Sequence, residues 1–467
     1  MMSELCFLSA TELARRLRAG ELSASEVLEA HLGQIERVNR HVNAIVTLDE
    51  ETARVRAREL DDLPDRNGVL HGLPIAIKDL ELTKGLRTTF GSPIYENHVP
   101  DEDALFVERL RAAGAVVIGK TNTPEFGAGS QTFNAVFGRT RNPYDLDKTC
   151  GGSSGGAAVA VACGMVPFAD GSDLGGSLRN PPSFCNVVGL RPSPGRIPRW
   201  PTSDPWNTLN VLGPIARSVE DAALMLSVMA GPDRRAPLSS EEPGEGFRGS
   251  CERDFRGVRI AWSRDLGSFP VDKEVATVFD DAVERFVELG CEVDEAHPDF
   301  ANAPEIFQTL RAHSFAMEHA EHLEHHRSLM KETVVWNVEK GLALHASEVA
   351  RAQRERGELY QRVRRFMERY QFLLLPVTQV APFDIETEWV QEIDGVAMES
   401  YVDWMKSCYF ISLTALPAMS VPAGFTPGGL PVGLQIVGRY RDERSVLALG
   451  HAFERATRVG ETRPSIV

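Results

Sequence analysis

Two glycine-rich segments of the chain carry serine residues at positions that suit catalysis. The first is Gly151-Gly152-Ser153-Ser154-Gly155-Gly156, and the second is Gly171-Ser172-Asp173-Leu174-Gly175-Gly176-Ser177-Leu178-Arg179. Glycine-rich turns expose backbone N–H groups and let other groups approach closely. Serine is a nucleophile once a base activates it. Two such turns joined by a small-residue apolar segment favour a functional site over a pair of ordinary structural turns.

The residue types around these turns exclude several kinds of site. A phosphate site would need a GK[ST] run or a G-x-G-x-x-G run after a strand, and neither occurs here. The G-x-S-x-G elbow is also missing, and no histidine lies nearby to serve as the base. Lysine remains. Lys78 directly follows the apolar run Leu73–Ile77, and burial lowers the pKa of a lysine towards that of a neutral, basic amine.

These segments identify a resemblance. With Gly72-Leu73-Pro74-Ile75-Ala76-Ile77-Lys78-Asp79 upstream of both serine turns, the sequence resembles the amidase signature family in three ordered blocks. The resemblance extends over most of the chain, through Gly119–Phe126, Arg141–Tyr144, Gly213–Asp221, Leu416–Pro422 and Gly429–Gln435.

The resemblance implies roles for individual residues. Ser177 matches the nucleophile of the family, Ser153 the bridging serine in a cis peptide, and Lys78 the base. The position of Gly127 matches one that lines the acyl pocket, and Ser153 is expected to contact substrate as well. The backbone N–H groups that match the family's oxyanion hole are those of Leu174, Gly175, Gly176 and Ser177.

The reaction so implied is a two-step acyl transfer. Neutral Lys78 takes a proton from Ser153 while Ser153 takes one from Ser177, whose oxygen attacks the amide carbonyl. The amine then leaves, and water hydrolyses the acyl-enzyme. Asp173 and Arg179 flank the nucleophile and are predicted to brace its turn. Asn186 stands where the family usually has glycine.

The pattern of strands and helices around these residues predicts an α/β fold. We expect a single amidase signature domain over residues 1–467, with a large mixed central sheet, helices on both sides and a helical elaboration. Short apolar strands precede Lys78 and Lys120, and Ser9 and Ser23 each begin an S-x-x-E capping box. The predicted parts are N-terminal helices at 1–66, a catalytic core at 67–235, an exposed linker at 236–256 and a mainly helical, substrate-side elaboration at 303–410.

Composition excludes several function classes. The formal net charge of −16 repels nucleic acid and anionic lipid, so neither is an expected partner. The seven cysteines show no CxxC spacing and are typical of reduced intracellular thiols. The first residues show no basic stretch followed by an apolar one, and we expect a cytoplasmic protein that needs no metal or cofactor.

A histidine-rich helix offers the alternative enzyme class. His319, His322 and His326 share a predicted helix, and the last two are spaced i, i+4, which suits two metal ligands. A metal-dependent hydrolase is therefore the alternative. Because Glu318, Glu321 and Glu324 are interleaved, a solvated charged face is the simpler interpretation.

A second alternative is the amidotransferase subunit of the same family, which works in a multi-chain complex on misacylated tRNA. Its S-x-N-L-S-R-Y-D-G run is not found in this chain. The predicted function is hydrolysis of the C–N bond of small or aryl apolar amides, with esters and carbamates (urethanes) also open as substrates. An apolar, aromatic-lined surface is suggested by Tyr401, Trp404, Met405, Tyr409, Phe410 and Trp389, although a core stripe explains some of them equally well. A homodimer is left open.

Overall fold

The computed structural model describes residues 2–467, which form helices and strands in alternation. The α-helices are α1 (Met2–Leu5), α2 (Ala10–Ala19), α3 (Ala24–Val42), α4 (Glu50–Asp61), α5 (Leu105–Ala112), α6 (Gly155–Ala162), α7 (Asn180–Phe184), α8 (Val219–Met229), α9 (Lys273–Glu288), α10 (Ala303–His326), α11 (Glu332–Leu342), α12 (Ala346–Arg369), α13 (Lys406–Leu413) and α14 (Glu443–Thr457). The strands are β1 (Ile45–Leu48), β2 (Pro74–Lys78), β3 (Val116–Thr121), β4 (Phe133–Asn134), β5 (Gly138–Arg139), β6 (Phe168–Asp173), β7 (Val188–Arg191), β8 (Val211–Ala216), β9 (Arg259–Trp262), β10 (Glu292–Glu295), β11 (Phe372–Pro376), β12 (Glu392–Ile393), β13 (Val396–Ala397), β14 (Ala418–Phe425) and β15 (Pro431–Val437).

An 11-stranded mixed sheet crosses the molecule in the order β1-β3-β2-β6-β8-β7-β14-β15-β11-β9-β10. β2 runs parallel to β3 and β6, and β9 runs parallel to β10 and β11. The remaining neighbours are antiparallel. The predicted α/β class with a mixed central sheet is confirmed.

The sheet separates two apolar cores. Phe372 and Leu374 of β11 belong to the larger core, whereas Leu373 and Leu375 belong to the smaller one. Successive side chains of a strand point to opposite faces, so both faces of the sheet are covered. This explains why strands such as β2 read as continuous apolar runs and not as an alternating pattern.

The N-terminal helices begin where their caps predict. The Ser9 side chain accepts a hydrogen bond from the Glu12 backbone N–H at the start of α2, and Ser23 and Glu26 form a reciprocal capping box at α3. α2 ends at Gly20 with φ 72°, a conformation that glycine adopts without a steric penalty. These caps satisfy backbone donors that a helix leaves unpaired.

Two other segments complete the architecture. Residues 236–256 are mostly exposed, but Phe247, Cys251 and Phe255 are buried and attach the segment to the larger core. The region from α10 to α12 is helical, and it is followed by β11, which lies between β15 and β9 in the sheet. None of the helices within residues 2–467 has the length and apolar character needed to cross a membrane.

Strand direction determines where the chemistry-bearing residues meet. β2 and β6 are parallel neighbours, so their carboxyl ends lie at the same edge of the sheet. Lys78 is the last residue of β2, and Asp173 is the last residue of β6. The glycine-rich turn at 151–154 leads into α6, which packs against β2 and β6 and so brings its serines to the same edge.

Candidate active site

A buried lysine lies at the centre of the site. Lys78 is 0% exposed, and its Nζ lies 2.8 Å from Ser153 Oγ, 2.8 Å from Ser154 Oγ and 3.1 Å from Ser172 Oγ. Its backbone N–H donates to Asp170 Oδ1 at 2.9 Å. Burial lowers the pKa of Lys78 to about 8, although neighbouring carboxylates oppose the change. A substantial fraction of this amine is therefore neutral near pH 8 and can accept a proton.

The turn that carries Ser153 has a specific backbone form. The Gly152–Ser153 peptide bond is cis, as the resemblance implies. The Ser130 hydroxyl donates to the Gly152 carbonyl at 2.9 Å, which fixes the turn from one side. A Cβ atom on Gly152 would lie 2.8 Å from the Gln131 nitrogen, closer than real Cβ contacts, so glycine is required there.

Asp173 organises the turn that carries Ser177. Its carboxylate accepts hydrogen bonds from the backbone N–H groups of Gly176 at 2.9 Å and Leu178 at 3.0 Å. The buried guanidinium groups of Arg179 and Arg191 lie 2.9 Å and 3.0 Å from the same carboxylate. Burial alone would raise the pKa of Asp173, but the charges of these two arginines hold it below its usual range. Asp173 is therefore ionised and braces the turn, as predicted.

Arg179 ties this turn to distant parts of the chain. Its guanidinium donates to Gln435 Oε1 at 2.7 Å, to Ser412 Oγ at 2.7 Å and to the Cys408 carbonyl at 2.8 Å. All of these groups are buried, and charge-assisted hydrogen bonds are about twice as strong as neutral ones. The nucleophile turn is thus held by α13 and β15 as well as by its own aspartate.

Three of the four backbone donors expected for an oxyanion hole remain unused. The N–H groups of Leu174, Gly175 and Ser177 donate to no acceptor within residues 2–467. The N–H group of Gly176 is different, because it donates to Asp173. The Gly176 N–H is thus held by a buried carboxylate and the other three are not, while the role of the four groups in an oxyanion hole stays a prediction.

Ser177 itself is partly exposed, and its hydroxyl makes no hydrogen bond within the described part of the chain. Phe307 and Tyr409 lie beside Gly175, where an added Cβ would be 2.9 Å from the Phe307 ring. Gly127 lies on the other side of the site, and a Cβ added there would be 3.5 Å from Ser153 Oγ. Such a Cβ would also be 3.0 Å from Leu80 Cδ1, so Gly127 lets Leu80 and Ser153 pack closely around this position.

Comparisons with known proteins identify the family of the chain. The family described as Amidase matches residues 26–447, which is most of the chain.

The chain belongs to the amidase signature family.

Among its relatives is an acylamidase of Rhodococcus erythropolis, 38% identical over 99% of this chain and 98% of that protein. One subunit of the glutamyl-tRNA(Gln) amidotransferase of Geobacillus sp. (strain WCH70) is 36% identical over 98% of each chain.

Solved structures of family members share the whole fold. A bacterial aryl acylamidase of the amidase signature family superimposes with a TM-score of 0.92 at 28% identity, covering 99% of this chain and 100% of that chain. A 6-aminohexanoate cyclic dimer hydrolase complexed with its substrate gives a TM-score of 0.88 at 28% identity, with 99% of each chain covered. These relatives establish this chain as an amidase-type hydrolase of amide C–N bonds.

A second buried lysine contrasts with Lys78. Burial also lowers the pKa of Lys120 to about 8. Its Nζ donates to Thr83 Oγ1 at 2.9 Å and Thr88 Oγ1 at 3.0 Å, and it contacts no serine. Lys120 thus links the loop after β2 to β3, and this role is structural.

The aromatic residues near position 400 are buried, and some of them also lie beside the site. Tyr401, Trp404, Met405, Tyr409 and Phe410 belong to the smaller core. Tyr401 and Trp404 also line a small pocket with Ser130 and Gln131, and Tyr409 lies beside Gly175, so a substrate-side role stays a prediction. Trp389, a sixth residue of that prediction, is partly buried against the same core.

The histidines of helix α10 differ in their surroundings. His319 is buried and stacks on Phe126 with ring centroids 4.4 Å apart, and His319 Nδ1 lies 3.3 Å from His322 Nδ1. His322 Nε2 is hydrogen bonded to the Tyr95 hydroxyl at 2.7 Å, whereas His326 is exposed. The rings of His319 and His322 are engaged with each other and with aromatic residues. No group of three metal-ligating side chains occurs anywhere in residues 2–467.

Sequence reasoning missed two partners of Lys78. Ser172 and Asp170 lie on β6, one strand from Lys78, and their side chains contact its amine and its backbone N–H. Asp170 directly precedes the glycine-rich segment 171–179, and Ser172 lies within it. Alternation along β6 is the signal that would have found them, since residues 170 and 172 share one face of the strand.

Proposed function

We propose that the protein hydrolyses carboxamides by a relay from Ser177 through Ser153 to Lys78, forming an acyl-enzyme on Ser177. The observation that carries the proposal is the 2.8 Å hydrogen bond between the buried amine of Lys78 and Ser153 Oγ, at a cis peptide bond. No base other than Lys78 contacts the Ser153 hydroxyl within the described part of the chain.

The proposed steps conserve protons and bonds. Ser153 gives its proton to neutral Lys78 and receives the proton of Ser177, whose Oγ forms the new C–O bond. The negative charge on the carbonyl oxygen is stabilised by the N–H groups of Leu174, Gly175 and Ser177. The C–N bond then breaks, the relay returns a proton to the departing nitrogen, and water hydrolyses the ester in the same manner.

The substrates we propose are small or aryl amides of apolar acids, with esters and carbamates as further acyl donors. The acylamidase and aryl acylamidase relatives support amides of this type. Gly127 lies beside Ser153 and matches the family position that lines the acyl pocket, so we propose that it borders the acyl group. With a formal charge of −16, the chain is not expected to contact tRNA by itself.

The test is amine release from a panel of aliphatic amides, anilides, aryl esters, carbamates and glutamine, measured by mass spectrometry. Wild type should turn over at least one amide class, and Ser177→Ala should lose at least about 10³-fold, as expected for removal of a nucleophile. Ser154→Ala is the matched control, because it removes a hydroxyl from the same amine and should retain most of the rate. The intact mass of wild type should also show an acyl adduct that Ser177→Ala lacks.

Two results would contradict the proposal. Equal activity of wild type and Ser177→Ala would exclude the serine relay, and sensitivity to EDTA would then favour the metal-dependent alternative. If glutamine is the only substrate that is hydrolysed, and ammonia is released only when partner subunits are added, the amidotransferase alternative is favoured.

A further inference from the structure

The two glycine-rich segments that carry the serines, residues 151–156 and 171–179, are joined at two places. Lys78 makes the first connection, because its amine contacts both Ser153 and Ser172. The second connection is a chain of hydrogen bonds centred on Asn180, the first residue of α7, whose side chain is 0% exposed. The proposed relay does not use this side chain.

Asn180 contacts the turn of Ser177 through both its backbone and its amide. Its backbone N–H donates to the Gly176 carbonyl at 2.7 Å. The amide packs against Gly176 as well, where an added Cβ would lie 2.9 Å from Asn180 Nδ2 and 2.8 Å from Cys408 Cβ. These contacts hold the amide of Asn180 against the residue directly before Ser177.

The same amide reaches the turn of Ser153 through one hydroxyl group. Asn180 Nδ2 donates to Ser130 Oγ at 2.8 Å, and the Ser130 hydroxyl donates to the Gly152 carbonyl at 2.9 Å. Gly152 directly precedes Ser153, whose Oγ lies 2.8 Å from Lys78 Nζ. Only two hydrogen bonds therefore separate the amide of Asn180 from the residue before Ser153.

The donors and acceptors of this chain all point in one direction. Ser130 uses its only proton for the Gly152 carbonyl, so its oxygen accepts from Asn180 and the amide nitrogen must face it. The amide oxygen of Asn180 accepts from Cys408 Sγ at 3.1 Å. All three side chains are buried, and hydrogen bonds in such a chain strengthen one another where water is excluded. The orientation of the Asn180 amide is thus determined by its neighbours.

We propose that Asn180 is a positioning residue, which acts through Ser130 to hold the turn of Ser177 in register with the turn of Ser153. The proposal rests on the proposed function, in which a proton passes directly between these two serines. Such a transfer needs the two oxygens within roughly 2.6–3.2 Å of each other. Because the Ser177 hydroxyl makes no hydrogen bond within residues 2–467, its approach to Ser153 depends on how the two turns are held.

The experiment measures how fast a fluorophosphonate labels the full chain, and what fraction of the protein it labels. Ser177 Oγ forms a bond to phosphorus, fluoride leaves and the relay takes the serine proton, so the labelling rate reports the activation of Ser177. Intact mass spectrometry gives both quantities, and kcat and KM for an anilide are measured beside them. Loss of folded protein lowers the labelled fraction, whereas misplacement of Ser177 lowers the rate and leaves the fraction unchanged.

Asn180→Leu and Ser130→Ala each break the connection. We expect the labelling rate and kcat to fall on the order of 10²-fold, the scale for a misplaced reacting group, with KM unchanged and all of the protein still labelled. The double variant should be no slower than the slower single variant, because both changes break the same chain. The pH at which the rate is half-maximal should stay as in wild type, because the contacts of Lys78 are unchanged.

Asn142→Leu is the matched control. The Asn142 side chain is also 0% exposed, and its amide donates to the carbonyls of Thr149 at 3.0 Å and Phe184 at 2.9 Å. It makes no hydrogen bond to either of the segments that carry the serines. This variant should lose stability as Asn180→Leu does, since it removes a donor from two buried carbonyls, but it should be labelled at the wild-type rate.

Different results would overturn this proposal and the proposed function. A wild-type labelling rate in Asn180→Leu, losses that multiply in the double variant, or an equal slowing in Asn142→Leu would exclude Asn180 as a positioning residue. A lower labelled fraction with an unchanged rate would assign Asn180 to stability alone. If Ser177→Ala is labelled as wild type is, or wild type is not labelled at all, the proposed function fails, and Asn180 then has no nucleophile to position.

Discussion

The pH dependence of hydrolysis tests the role of Lys78 directly. Its side chain is fully buried, and the pKa of about 8 arises because burial penalises the charged form. A base acts in its neutral form, so activity should be high above pH 8 and fall as the pH drops through that value. With a pKa of about 8, the neutral fraction is about 90% at pH 9 and about 1% at pH 6. We therefore expect kcat/KM to fall about 90-fold between these two pH values.

The assay measures initial rates of anilide hydrolysis from pH 5 to pH 10, at substrate concentrations well below KM. Samples returned from each pH to pH 9 must regain full activity, which separates titration from unfolding. Lys120→Met is the matched control, because the pKa of Lys120 is also lowered to about 8 but its Nζ contacts threonines and not serines. In that variant kcat/KM should still fall at acidic pH, and the midpoint of this fall (the acidic limb) should lie at the same pH as in wild type.

Three results would refute this reasoning. A rate that is unchanged from pH 9 down to pH 5 would mean that no group with a pKa near 8 acts as the base. An acidic limb that disappears in Lys120→Met would assign the titration to Lys120. Lys78→Met should be inactive at every pH, and residual activity with an unchanged limb would exclude Lys78 as well.

Two further predictions concern the acyl pocket and the nucleophile turn. In Gly127→Ala the new Cβ lies 3.5 Å from Ser153 Oγ, so the ratio of kcat/KM for a benzoyl amide to that for an acetyl amide should fall about tenfold, the usual scale for an extra methyl in a pocket. Equal losses for both substrates would contradict this role. Asp173→Asn leaves two buried arginines without their counter-charge, and the free energy of unfolding in urea should fall by about 3–5 kcal/mol. Asp294→Asn, in an exposed ion pair, is the control and should leave it almost unchanged.

The sequence predicted those parts of the fold that depend on local pattern. The run Leu73–Ile77 is apolar without interruption because β2 is covered on both faces. The cap at Ser23 depends on a residue only three positions away, so spacing alone identifies it. The three segments that carry Lys78, Ser153 and Ser177 were identified by their motif, and the structure brings Lys78 and Ser153 to 2.8 Å.

Features that depend on distant contacts were not predictable from one sequence. Nothing in the segments around Arg179 and Gln435 indicates that their side chains meet, because the two residues are 256 positions apart. The aromatic residues at 401–410 have the same spacing whether they line a pocket or fill a core, and only the packing of α13 against α10 shows that they are buried. The hydrogen bond from Gly176 to Asp173 is equally hidden, since a motif does not say which N–H groups of a turn are already in use.

The nucleophile turn and the base depend on the same buried charges. The negative charge of Asp173 tends to raise the pKa of Lys78, and an isolated carboxylate near the forming oxyanion would oppose its development. The guanidinium groups of Arg179 and Arg191 cancel much of that charge while leaving the carboxylate ionised to hold the turn. Burial outweighs the opposing carboxylates of Glu81, Asp170 and Asp173, so the pKa of Lys78 is lowered to about 8. The arginine pair thus lets Asp173 hold the turn of Ser177 without leaving an uncompensated negative charge beside the proposed anionic intermediate.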